Sequence, residues 1–456
     1  MKVFLVYLAL DTPQNRGYNY GLGYIAAVLE KGGYNVKYLT LKNKRDVNDL
    51  YTKIKREKPS VVAFSSTSTQ FRFVKQLSKE IRSFFNGFII CGGVHTTLEP
   101  ECILDVPELD AIVRGEGEYP LLEFVDCIEK GSNSFKIKNF WFRNGKKIIK
   151  NEIRPLIENL DELPLPSKSS LDYQKIIDNS GGENNFIFSR GCPFECTYCS
   201  NKALSSIYPN KYKYFRQISP QKAIEEIEGD SKRYKFNSIV FDDDTISLNK
   251  KWFYDFFTLY QQKFDYPFKC NLRIGTVDSS MMALLKKAGV KQVLVGVEQG
   301  NEGFRKKVLK RYMSNKQMLD FFRICERYKV PYKAFIMVGF PFENKRLFFD
   351  TVKFCRKISV RSRAYIFQPY PGTELGHICE MNNWMPDKED FREREEAVIG
   401  YPSFSKKEIQ LCSDASYFLI SFKFIPLSLP LEFTAYPFAF LNRIRNKMLS
   451  FLNKQN

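Results

Sequence analysis

Short apolar runs alternate with amphipathic ones twice along this chain of 456 residues, and a proline-marked break separates the two series. In the first series the apolar runs fall at 3–8, 36–41, 61–65, 88–91 and 111–113, with amphipathic runs at 22–31, 46–56, 71–84 and 118–130. Strands that alternate with helices at this spacing run parallel, because each crossover returns the chain to the same edge of the sheet. Residues 1–135 are therefore expected to form a doubly wound α/β domain whose ligand sits beyond the carboxyl ends of the strands. Those ends carry glycine and small polar residues: Ser65 to Thr69, Gly92-Gly93-Val94-His95 and Arg114-Gly115-Glu116-Gly117-Glu118. Glycine lets backbone approach a ligand, and hydroxyls satisfy its polar groups.

Residues 136–184 read as a connector, with Lys-rich hairpin material at 140–146 and then Leu163-Pro164-Leu165-Pro166. The second series places strands at 186–189, 238–241, 268–274, 292–297, 334–338 and 363–367. One of its helices opens at Ser219-Pro220, a capping serine with proline at the first helical position. Six βα units are too few to close the common eight-stranded barrel.

Between the first two strands of that series lies Ser189-Arg190-Gly191-Cys192-Pro193-Phe194-Glu195-Cys196-Thr197-Tyr198-Cys199-Ser200. Eleven cysteines scattered at random would give such a C-x₃-C-x₂-C run roughly 0.006 times. Positions i, i+4 and i+7 also share a helix face, but Gly191 and Pro193 argue against regular helix here. Zinc would want a fourth protein ligand, and His95 and His377 are distant in sequence. Three soft thiolates on a short loop suit an iron–sulfur cube with one iron left open.

With this spacing, and Tyr198 before the last cysteine, the run resembles the signature of the radical S-adenosylmethionine (SAM) enzymes. The resemblance implies a partial (β/α)₆, TIM-like barrel over 185–375, followed by a mostly helical tail over 376–456. It implies a [4Fe–4S] cluster on Cys192, Cys196 and Cys199, and SAM at the strand ends. Phe241-Asp242-Asp243-Asp244-Thr245 and Gly296-Val297-Glu298-Gln299-Gly300 are similar to two strand motifs of that family, which nominates Asp243 and Glu298 as SAM contacts.

The glycine-rich segments at 92–95 and 113–118 resemble those of Rossmann-like cobalamin-binding domains placed before radical SAM barrels. The resemblance nominates Tyr20, Gly23, Ser65, Gly92 and Gly93 as cobalamin-site residues. Many such domains carry D-x-H-x-x-G at the first of these places. Here Tyr18 stands for the aspartate and Tyr20 for the histidine, while Gly23 keeps the glycine, so no imidazole reaches cobalt from this loop. His95, after a glycine pair, is read as a hydrogen-bonding turn residue.

The function implied is reductive cleavage of SAM to a 5′-deoxyadenosyl radical, with cobalamin-dependent methylation of an unactivated carbon of a small-molecule or lipid-like substrate. Flavodoxin or ferredoxin would supply electrons. The alternatives are a cobalamin-dependent cyclase or rearrangement enzyme without methyl transfer, and an RNA-modifying methylthiotransferase. The last would need three further cluster cysteines in the N-terminal domain; Cys91 and Cys127 there lie on apolar runs and read as buried structural thiols.

Net charge is +19, from 70 basic and 51 acidic residues. No RNA-binding motif accompanies it, so a nucleic-acid partner is not expected. An odd number of mostly isolated cysteines (eleven) and a first segment that reads as a buried strand rather than a signal peptide point to the cytoplasm. Near the end, Phe438, Leu441, Ile444, Met448, Phe451 and Leu452 form an apolar helical stripe flanked by Arg443, Arg445, Lys447 and Lys454. Such a helix docks on a core or makes peripheral contact with the inner membrane face.

Overall fold

A computed structural model describes residues 1–10, 17–210, 213–386, 396–422 and 427. The apolar stripe at 438–452 lies outside the described residues. The chain divides into two compact units: 1–193 with 200–237, and 194–199 with 238–456.

The first unit is built on β1 (Lys2–Leu8), α1 (Tyr20–Lys31), β2 (Asn35–Leu41), α2 (Lys44–Glu57), β3 (Val61–Ser65), α3 (Phe71–Arg82), β4 (Phe88–Gly92), α4 (Val94–Leu98), β5 (Ala111–Val113) and α5 (Glu118–Glu129). Its strand order is β2-β1-β3-β4-β5, all parallel. Order reverses between β1 and β3, which opens a crevice at their carboxyl ends. The alternation of side chains along β1 decides which helix goes where. Val3 and Leu5 face a core shared with Leu22, Ala26 and Leu29 of α1 and Leu121, Phe124 and Val125 of α5. Phe4, Val6 and Leu8 face the opposite core, with Leu50 and Ile54 of α2 and Val74, Leu77 and Ile81 of α3. Both faces of the sheet are covered, as a parallel sheet requires.

The hairpin material of the connector becomes part of this sheet. β6 (Phe140–Asn144) pairs antiparallel with β5, and β7 (Lys147–Lys150) pairs with β6 through a turn at Gly145, φ +60°. Phe140 and Phe142 stack on one another at 4.8 Å and join the α5 core, so the hairpin buries apolar surface that a free linker would expose.

After α6 (Tyr173–Asn179), the strand expected at 186–189 splits in two: β8 (Glu183–Phe186) and β9 (Ser189–Arg190). The backbone of β9 is recruited by β10 (Arg216–Gln217), antiparallel, once α7 (Ser200–Ser206) has turned the chain back. α8 (Pro220–Arg233) closes the unit, and Ser219 caps it by accepting from the Lys222 amide at 3.2 Å.

The second unit carries the parallel strands of a partial barrel: β11 (Ser238–Phe241), β12 (Phe268–Leu272), β13 (Val290–Glu298), β14 (Tyr332–Val338) and β15 (Ala364–Ile366), hydrogen-bonded in chain order. Between them run α9 (Lys250–Lys263), α10 (Ser279–Lys287), α11 (Glu302–Lys307), α12 (Asn315–Arg327) and α13 (Lys345–Lys357). The described part of the tail holds two helices, α14 (Glu374–Met381) and α15 (Lys406–Ser421), with turns between them. α15 covers the edge strand β15: Ser416 Oγ accepts from the Ala364 amide at 2.8 Å and Ser413 Oγ donates to the Ala364 carbonyl at 2.7 Å. Covering an edge removes an open row of backbone donors and acceptors. Among the described residues no helix is long and apolar enough to cross a membrane.

Candidate functional site

A cavity of about 390 Å³ opens at the carboxyl ends of β3, β4 and β5, with Leu5 of β1 also on its wall, wholly within the first unit. Tyr20, Ser65, Gly92 and Gly93 all line it, together with the turn at 115–118 and the segment 187–191. Gly93 has φ +104°, and a side chain there would meet the Ser66 carbonyl oxygen at 2.6 Å. Only glycine fits that backbone and that approach. Gly92 faces no such crowding, its nearest prospective neighbour lying 3.7 Å away in Val113.

Gly23 does not line the cavity. A methyl group on it would overlap the hydroxyl of Tyr18, which donates to the Ser167 carbonyl at 3.0 Å. The approach of Tyr18 by itself requires glycine at this position. Tyr20, at the start of α1, stands edge-on to Tyr18 at 5.0 Å, and its hydroxyl donates to the Asn185 carbonyl. His95 is not among the residues that line the cavity: its Nδ1 pairs with Ser68 Oγ at 3.2 Å and its ring lies 4.2 Å from Phe71.

Sequence reasoning missed the cavity's ionic wall. Glu116 takes Arg190 at 2.8 Å, Arg216 at 3.0 Å and the Ile157 amide at 2.8 Å, and Glu118 takes Arg190 at 2.6 Å. Burial pushes the Glu116 carboxyl up, but Arg190 and Arg216 more than reverse it and hold the group below its ordinary value. The signals were the Gly115-Glu116-Gly117-Glu118 pattern and the place of Arg190 at the head of the cysteine run; Arg216 does not stand out among 70 basic residues.

In the second unit the loop 194–199 is tied down at Thr197, which donates to the Val308 carbonyl at 2.7 Å and whose carbonyl accepts from the Leu375 amide at 3.0 Å. Arg273 and Arg311 both point a guanidinium nitrogen at Cys196 Sγ, each at 3.7 Å. Arg273 lies flat on Phe194, 3.5 Å from the ring centre. Arg311 also donates to Tyr198 Oη at 3.3 Å and to the Gly296 carbonyl at 2.6 Å. Glu298 ends β13 with φ +63° and stands 3.9 Å from Arg311. Arg311 is 6% exposed and follows an irregular loop, so no local pattern announces it.

Asp243 is fully buried just past β11, its backbone carbonyl accepting from Asn271 at 3.1 Å, while Asp242 is half-buried and Asp244 exposed. Cys192 follows Gly191, whose φ of +79° and approach to the Tyr214 carbonyl, 2.5 Å from a prospective side chain, again admit only glycine. Among the described residues no three Cys, His, Asp or Glu side chains already stand as a site for a single metal ion. The donor chemistry nevertheless suits an anionic sulfur group: two cations converge on Cys196, and buried charge is tolerated when paired. Cys91 and Cys102 are buried in the core below α3, where burial pushes the Cys91 thiol up, and Cys127 packs against the opposite core.

The B12 binding domain family matches residues 7–125, and the Radical SAM superfamily matches 186–355. An uncharacterized methyltransferase of Pyrococcus horikoshii is 29% identical over 84% of this chain and 84% of its own length. The anaerobic magnesium-protoporphyrin IX monomethyl ester cyclase of Rubrivivax gelatinosus is 25% identical over 78% of this chain and 65% of its own. In fold, the radical S-adenosylmethionine methyltransferase TsrM from Kitasatospora setae superposes with a TM-score of 0.70 at 16% identity, over 84% of this chain and 77% of that one.

Proposed function

Because the chain belongs to the radical SAM enzymes that carry a B12-binding domain, we propose that it methylates an unactivated carbon of a small-molecule or lipid-like substrate. The observation that carries the reading is the cavity at the strand ends of the segment matched by the B12-binding family, in a chain that also holds the radical SAM match. The family's cofactors are a [4Fe–4S] cluster, SAM and cobalamin. When bound, they supply a strong reductant, a cleavable sulfonium and a transferable methyl group.

The protein's own contribution is placement. Cys192, Cys196 and Cys199 would hold the cluster, with Arg273 and Arg311 balancing charge at Cys196. Arg311 would also offer a buried cation to the SAM carboxylate, and Glu298 would accept from its ammonium or ribose hydroxyls. Tyr20, Ser65, Gly92 and Gly93 would contact cobalamin. The Tyr20 proton is already engaged by Asn185, so α1 offers a hydrogen-bonded phenol where related domains offer imidazole.

Anaerobic turnover with reductant tests this. A methylated product, S-adenosylhomocysteine and 5′-deoxyadenosine should appear together. A product without added methyl would instead support the cyclase or rearrangement reading, which similarity to the Rubrivivax enzyme favours. Flavodoxin or ferredoxin is the expected electron donor. Peripheral membrane contact through the stripe at 438–452 would show as low-salt flotation with anionic liposomes, and full-length protein that stays unbound would remove it.

A further inference from the structure

The turn at 115–118, on the cavity wall, is clamped by side chains that bracket the cysteine run. Arg190 lies two residues before Cys192 and bridges Glu116 and Glu118. Tyr208, nine residues after Cys199, sets its hydroxyl so close to Gly115 that a side chain there would stand 2.5 Å from it. Gly115 answers with φ +73°. Arg216 pairs with Glu116 and donates to the Ile157 carbonyl at 2.7 Å. Arg190 and Arg216 also face each other in the β9–β10 ladder, so both arms of that ladder converge on one carboxylate.

Side-chain exposure is 4% for Glu118, 8% for Arg216, 16% for Glu116 and 21% for Arg190. A network this dry has one good geometry, because moving one member strands the charge of another. The backbone it fixes, Ser189 to Gly191, is both cavity wall and the direct lead into Cys192.

We infer that Glu116 is a positioning residue that couples occupancy of the cofactor cavity to the segment delivering Cys192 to the cluster. The inference rests on the cofactors proposed above. A ligand that favours the clamped turn favours the iron-holding arrangement of Arg190-Gly191-Cys192, and linkage makes the effect reciprocal. Glu116 acts through Arg190 and need touch no reacting atom.

The test uses the reconstituted full-length protein, hydroxocobalamin as the cavity probe, and anaerobic iron release to a chelator. In the wild type, hydroxocobalamin should raise the chelator concentration that strips half the iron at equilibrium about tenfold, and loaded iron should tighten hydroxocobalamin binding by a similar factor. Glu116→Gln keeps shape but removes the charge, and should cut both factors below about twofold. Arg216→Gln, which leaves Arg190 in place, should reduce them partway and serves if Glu116→Gln fails to fold. A merely loosened fold would lower that chelator concentration with and without hydroxocobalamin and leave the ratio untouched. Equal ratios in wild type and variants, or no protection in a wild type that binds both cofactors, would overturn the coupling alone. A wild type that holds no iron or no hydroxocobalamin would overturn the cofactor assignment, and the coupling with it.

Discussion

Glu298 folds its carboxylate back over the α-carbon of Gly296, where any methyl group would collide with Oε1. The fold-back is possible because Glu298 takes φ +63° where the β13–β14 register shifts. A non-glycine residue in that region costs about 1–3 kcal/mol, and such strain concentrates at sites of function. Gly296→Ala should therefore push the Glu298 carboxylate off its place, at little cost in stability because the atoms it meets are ends of side chains rather than backbone. SAM binding by calorimetry should weaken at least tenfold. Unchanged SAM affinity in a folded Gly296→Ala would show that Glu298 is not a SAM contact.

Cys196 receives two guanidinium donors, and its loss should be felt in metal content before anything else. Anaerobic reconstitution of the wild type should give about four irons and four sulfides per chain. Cys196→Ala should lose the cluster's absorbance and all SAM cleavage, as should alanine at Cys192 or Cys199. Normal 5′-deoxyadenosine production by Cys196→Ala would refute the ligand assignment.

Much of the fold could be read from periodicity because parallel strands buried on both faces are continuous apolar runs. β3, β5 and β11 lie at the expected residues for that reason. The segment 186–189 misled because its pairing is decided at a distance: β9 follows Arg216, which in turn follows Glu116. The hairpin β6–β7 carried the right local pattern, but its docking on β5 depends on the Phe140 and Phe142 faces meeting α5. At the sites, φ and close approach to backbone demand glycine at Gly93 and Gly191, while at Gly23 the neighbouring Tyr18 hydroxyl demands it. Arg311 was invisible because it is one of five basic residues between 305 and 311, and nothing local separates it from its neighbours; only the fold brings it to Cys196.

Gly93 gives a sharp test of the cavity. Alanine there must adopt φ +104° and would press against the Ser66 carbonyl at 2.6 Å and the Ser66 nitrogen at 2.8 Å, both rigid backbone. Either Gly93 or the β3 end must move, and β3 supplies Ser65 to the cavity. Gly93→Ala should lower stability by about 2 kcal/mol or more and weaken hydroxocobalamin binding at least tenfold. Gly92→Ala is the control, since its nearest neighbour would be 3.7 Å away. Stability should change little there, and hydroxocobalamin titrations should separate the two variants. Equal hydroxocobalamin affinity in a folded Gly93→Ala would remove this turn from the site.

Glu343 sets a pH dependence of stability. Its carboxyl is fully buried beyond β14, accepting from the Gly339 amide at 2.7 Å, the Phe340 amide at 3.1 Å and Gln299 at 3.2 Å. Burial outweighs those donors and raises it from 4.5 to about 7. The folded state therefore holds a proton that the unfolded chain gives up near pH 4.5. Stability from this group is complete below pH 4.5, falls as pH rises toward about 7, and is flat above. The loss amounts to about 3 kcal/mol at most. Tyr401, which donates to the Gly339 carbonyl at 2.9 Å, and Cys379 beside it are both raised by burial and stay neutral through this range. Glu343→Gln keeps an acceptor for the two amides and carries no charge at any pH. Urea unfolding of the wild type between pH 5 and 8 should show the decline, and the variant should show a flatter profile and greater stability at pH 8. Parallel profiles for the two proteins would mean that Glu343 is ionised in the fold, with its neighbours supplying the missing compensation.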